Sequence, residues 1–124
     1  MEWRVDPGSQ VQPSRQLVDA ALDAVAAGRF AAGDRLPSVR GLSAAALVNP
    51  NTAARAWREL EHLGVARGRN GAGVFVTAEG PAIARALRRD QTRAALRRAW
   101  DEALRAGHDP AELWRDLCAS RRSA

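Results

Sequence analysis

Between Pro13 and Ala27, apolar residues recur at Leu17, Val18, Ala21, Leu22 and Val25, the spacing of one helix face. Pro13 suits the first helical turn, and Gly28 is a natural C-terminal stop. Phe30 and Leu36 flank a turn at Ala32-Gly33-Asp34, and Ser38 can cap a second helix running to about Ala46. Asn49-Pro50 opens a third, because Asn is a favoured N-cap and Pro a favoured first residue. Ala53, Ala56, Trp57, Leu60 and Leu63 would line its buried side, and Gly64 would end it. Two short apolar runs, Val65-Ala66-Arg67 and Val74 to Thr77, then bracket a Gly-rich stretch, the pattern of a β-hairpin. Three helices followed by a hairpin is the order of a winged helix-turn-helix.

Glu79-Gly80-Pro81 marks the clearest boundary, predicting one domain over 1–78 and a second region over 79–124. A long helix is expected from Pro81 to about Ala106, closed by Gly107. Its apolar stripe changes phase: Ile83, Ala84 and Leu87 face one way, and Leu96, Ala99, Trp100, Ala103 and Leu104 another. The helix is therefore either kinked or in contact with two surfaces. A last helix starts at Asp109-Pro110-Ala111-Glu112, carries Leu113, Trp114 and Leu117, and is expected to fray at Arg121-Arg122. The fold class is mainly α with one small hairpin.

Composition sharpens this picture in two places. The 124 residues contain a single cysteine, Cys118, which excludes an internal disulfide and a thiolate zinc cluster and suits a reducing cytoplasm. No secretory leader is expected from Met1-Glu2-Trp3-Arg4-Val5-Asp6, and no apolar run is long enough for a membrane span. The net charge of +5 is unevenly placed. Residues 35–73 hold six arginines against two acids, an excess of four on the helix-turn-helix and hairpin. All basic residues are arginine, which either reflects codon bias of the genome or suits bidentate phosphate and guanine contacts.

A helix entering the major groove needs short polar groups at its N-terminus, where free amides also meet phosphate. Asn49, Asn51 and Thr52 supply them, and Arg55 lies one turn on, within reach of a base edge or phosphate. The Gly-rich run from Gly68 to Gly73 leads into a strand, whereas nucleotide-phosphate loops lead into a helix. The two histidines, His62 and His108, belong to no nucleophile–base set or metal spacing, so neither an enzyme nor a cofactor is expected.

The assembled residues resemble the GntR family of bacterial transcription regulators, and more narrowly its short YtrA-like subfamily. The resemblance rests on Gly28 to Arg40, Val48 to Thr52, Arg55-Ala56-Trp57, Glu59-Leu60-Glu61, Leu63-Gly64 and Gly71 to Val76, in the family's order and spacing. Ser43, Ala46, Leu47, Ala53 and Trp57 depart from the usual residues, and Leu47 is expected to fill the space left by Ala46. The resemblance implies a homodimeric repressor on an inverted-repeat operator, with half-sites about 10 bp apart. It implies DNA contacts by Arg40 at the start of the second helix, by Ser38 as cap and phosphate ligand, and by Arg69, Asn70 and Gly71 at the wing tip. Arg58 is either a phosphate contact or a partner of Glu59 or Glu61. The tail would dimerise through Leu96, Trp100, Leu104, Leu113, Trp114 and Leu117, residues too apolar to leave in water unless the first helix or a second subunit covers them. The arginines at 85, 88, 89, 93, 97 and 98 form either a solvated face or a flanking phosphate patch. Double-stranded DNA and a second copy are the expected partners, and a small-molecule effector is left open. The competing expectation is a non-specific nucleic-acid or adaptor protein.

Overall fold

The computed structural model describes residues 3–123, which form five helices and one hairpin. In chain order these are α1 (Pro13–Ala26), α2 (Val39–Ala46), α3 (Pro50–His62), β1 (Ala66–Arg69), β2 (Gly73–Val76), α4 (Gly80–Arg105) and α5 (Pro110–Ser123). The chain divides into two units, the first ending at Arg88 and the second starting at Arg89.

In the first unit, α1 buries Leu17, Val18, Ala21, Leu22 and Val25, the residues its period singles out. They meet Leu42 of α2, Ala53, Ala56, Trp57 and Leu60 of α3, and Val65, Ala66 and Val76 of the hairpin in one cluster. Each helix start follows from local chemistry. Ser38 Oγ accepts from the Gly41 amide at 2.9 Å and Asn49 Oδ1 from the Asn51 amide at 2.8 Å, each cap contributing about 1 kcal/mol. The hairpin is antiparallel, with Ala66 opposite Val76 and Arg67 opposite Phe75, so Ala66 and Val76 face the core. Its first strand lies one residue beyond the expected run because Val65 is consumed by the turn after α3, donating its amide to Leu60. The segment before α2 adds a third edge: Leu36 donates to Val74, Val76 to Asp34, and Arg35 bridges Phe75.

The compact unit runs past the Glu79-Gly80-Pro81 boundary. Gly80 is buried where a β-carbon would lie 2.5 Å from the Val65 carbonyl oxygen, so the start of α4 lies close against the hairpin. Ala84 joins the core, with Ile83 and Leu87 beside it, and Arg88 Nε donates to Asp23 of α1 at 2.6 Å. At the other end Trp3, outside any element, is buried edge-on against Trp57 with ring centroids 5.5 Å apart.

The second unit pairs the C-terminal part of α4 with α5. Asp109 caps α5 through the Ala111 amide at 3.0 Å. The last helix continues through Arg121 and Arg122 to Ser123, beyond the expected fraying point, because no Gly, Pro or competing cap interrupts it. Pro110 is the only buried residue among those described in this unit. No helix among the described residues is long and apolar enough to cross a membrane.

Candidate nucleic-acid interface

α3 separates its faces cleanly. Ala53, Ala56, Trp57 and Leu60 are buried, whereas Asn51, Arg55 and Arg58 are exposed along one stripe at i, i+4 and i+7. His62 extends that stripe by one further turn, a member the sequence reading left out. Thr52 is half-buried beside it, and Asn49 is exposed at the N-cap. The expected recognition residues therefore share the solvent face and the N-terminus of one helix. Free amides and polar side chains there match an electronegative groove.

Two polar ties fix how α2 presents its own start. The Trp57 indole Nε1 donates to the Pro37 carbonyl at 2.8 Å, anchoring the residue just before Ser38 to α3. Ser43 Oγ donates to the Val48 carbonyl at 2.6 Å across the turn between the helices. Arg40 is exposed in the first turn of α2, so its position follows from the Ser38 cap and the Trp57 tie. Sequence reasoning placed Trp57 in the core and missed its indole bond, because nothing local signals a partner 20 residues away.

The turn between α2 and α3 holds a correction. Leu47 adopts φ 55°, the left-handed region, and its side chain is 90% exposed. It does not fill the space near Ala46. The left-handed backbone swings the side chain away from the core, while Ala46 closes the gap itself and is buried.

At the hairpin tip, the Ala72 amide donates to the Arg69 carbonyl at 3.0 Å, leaving Asn70 and Gly71 exposed at the centre of the turn. Arg69 does not project freely: its guanidinium lies over the Phe75 ring, 4.6 Å from the centroid. In the second unit Leu96, Trp100, Leu104, Leu113, Trp114 and Leu117 are 41–64% exposed, and most of them line one apolar groove between α4 and α5.

The helix-turn-helix and wing match a family model described as bacterial regulatory proteins, gntR family, over residues 13–76. The chain belongs to the GntR family. Among GntR-type relatives it is 32% identical over 74 residues to the HTH-type transcriptional repressor YtrA of Bacillus subtilis, covering 60% of this chain and 57% of that protein. The matched stretch thus spans less than two thirds of that relative. A transcriptional regulator from Oenococcus oeni superposes with a TM-score of 0.74 at 28% identity, covering 93% of this chain and 95% of that one. YtrA from Sulfolobus acidocaldarius, a GntR-family transcription factor, gives 0.59 at 26% identity, covering 78% and 95%. These similarities place the chain with the short YtrA-like members of the GntR family, its winged helix-turn-helix lying in the matched residues.

Proposed function

We propose that this chain is a homodimeric repressor that reads an inverted-repeat operator, with α3 in the major groove of each half-site and the wing tip beside the minor groove. The observation that carries it is the exposed stripe Asn51, Arg55 and Arg58 beginning at the capped N-terminus of α3, with Arg40 presented from the start of α2. Arg40 and Arg55 are the base-reading candidates, since arginine forms two hydrogen bonds to guanine. Ser38, Asn49, Asn51, Thr52 and Arg58 position the helix on phosphate and base edges, and Arg69, Asn70 and Gly71 do so from the wing.

The dimer follows from the second unit, whose apolar groove is open in the single chain and is covered by the same groove of a second copy. Two-fold symmetry then sets half-sites about 10 bp apart. Repression is the activity named for the B. subtilis relative, and occlusion of a promoter by a bound dimer achieves it without further machinery. Such a protein works in the cytoplasm, where the chromosome is.

Selection of the purified protein against random duplex DNA, with Arg40→Ala and Arg55→Ala in parallel, tests the reading. The expected result is a palindromic motif whose affinity falls by about 1–3 kcal/mol in each variant, with relaxed preference at one position per half-site. Equal enrichment of every sequence at low salt would replace the operator reader with a non-specific binder.

A further inference from the structure

The outer face of the wing gathers three arginines that the helix-turn-helix does not use. Arg35 bridges Phe75 from one side and Arg67 opposes Phe75 from the other, so backbone pairing sets Arg35, Phe75 and Arg67 in one row across three extended segments. Residues paired across antiparallel strands point to the same face. Arg69 stands two residues from Arg67 on that face and lies over the Phe75 ring.

Gly73, the cross-strand partner of Arg69, leaves space that Arg35 occupies. A β-carbon at Gly73 would lie 2.7 Å from the Arg35 Nε atom, and the backbone there has φ 114°, where side chains are disfavoured. Arg35 and Arg67 lie two strand spacings apart, roughly 9–10 Å between backbones, a span that one phosphate group held between two long side chains can bridge.

Like charges on one sheet face repel unless something negative lies between them. None of the three arginines forms an ion pair with a described residue. Arg67 and Arg69 line an open cavity beside Thr77 whose single acidic lining residue is Glu79. Asp34, next in sequence to Arg35, turns its carboxylate back to accept from the Ala31 amide at 2.8 Å. All three arginines are exposed, whereas Phe75 is half-buried with Arg69 over its ring.

We propose that Arg35, Arg67 and Arg69 form a phosphate-binding platform on the outer face of the wing, separate from the recognition helix. Guanidinium forks match phosphate oxygens in pairs, and a ring that fixes one guanidinium reduces the ordering cost of the contact. The phosphate belongs either to the DNA backbone or to a small phosphorylated ligand. The first source rests on the operator-binding reading, and the second does not.

Full-length protein carrying Arg35→Gln, Arg67→Gln or both is compared with wild type in two binding assays and a melt. In the first, the arginine Nε–H resonances are followed by NMR while pyrophosphate is added. Wild type is expected to shift and saturate, and the double variant to show no saturable change. In the second, affinity for a 30 bp duplex is measured over a range of salt concentrations. If backbone phosphate is the ligand, each substitution weakens every sequence about equally and lowers the salt slope by about 1. A lost pyrophosphate response with unchanged DNA binding assigns the platform to a small phosphorylated ligand.

The double variant should melt at or above the wild-type temperature, because repulsion is removed. A lowered melting temperature would give these arginines a structural role and overturn the proposal. So would variants that match wild type in both binding assays. Failure of the wild type to bind any duplex would sink the operator reading, while the pyrophosphate titration would still decide the platform.

Discussion

The two units treat apolar residues in opposite ways. In the first, Leu17, Leu22, Leu42, Leu60 and Trp57 are essentially removed from water, and Asn51, Arg55 and Arg58 stay outside along one stripe of α3. In the second, two tryptophans and four leucines are about half exposed. Both patterns read identically along the chain, as apolar residues at helical spacing. Periodicity therefore says that a face will be covered, and only the three-dimensional contacts say whether the chain covers it alone. On the homodimer reading proposed above, a second copy covers this face, since apolar faces of this kind commonly serve association.

The largest effect that sharpens the contrast is expected from Leu60→Ala. The side chain is fully buried beneath α1, α2 and the hairpin, so its truncation should cost about 2–5 kcal/mol of unfolding free energy in urea. The corresponding operation in the second unit, Trp100→Glu with Trp114→Glu, should leave the first unit's unfolding unchanged and abolish self-association. Sedimentation velocity should show a loss of at least about 100-fold in dimer affinity, as expected when two aromatic anchors are replaced by charge. A wild-type protein that sediments as a monomer at all concentrations would break the comparison, because the exposed face would then lack its proposed cover.

How much of this was legible follows the same division. α1, α3 and the hairpin were readable because period, caps and glycines agree there, and the structure returns those residues as core. The shared side of Asn51 and Arg55 on α3 was readable for the same reason, whereas Arg58 carried two readings, a phosphate contact or a partner of Glu59 or Glu61. Trp3 was not, since it belongs to no periodic run and is buried only by reaching Phe30 and Trp57 across the fold. Nor was the third edge of the wing: Arg35 is one paired residue ahead of a proline, too short to show alternation. Leu47 stood out in its turn, but a left-handed backbone sends its side chain outward, where size alone suggested inward packing.

A smaller effect separates burial from positioning inside the first unit. Trp57→Phe keeps an aromatic ring in the core but removes the indole bond to Pro37. The unpaired carbonyl should cost about 1 kcal/mol of stability. Because Pro37 precedes the α2 cap, operator affinity should fall as well, and part of the Arg40→Ala loss should disappear in the Trp57→Phe background. Full additivity of the two substitutions would show that the tie stabilises the fold without steering Arg40.

Leu47 offers the smallest test, and it runs against the first unit's own rule. It is that unit's most exposed large apolar residue and its only described non-glycine at positive φ. A left-handed leucine costs about 1–2 kcal/mol. Glycine removes that strain but adds about 0.4–1 kcal/mol of unfolded-chain entropy. Leu47→Gly should therefore stabilise the protein by up to about 1 kcal/mol, seen as a higher urea midpoint at unchanged slope. Operator affinity, measured on the same preparations, gives the residue its meaning. Unchanged affinity would make Leu47 a tolerated fault in an otherwise sealed unit. Weaker affinity alongside the gain in stability would mean that the strain holds an apolar side chain outward for the DNA, where thymine methyl groups are its natural contact.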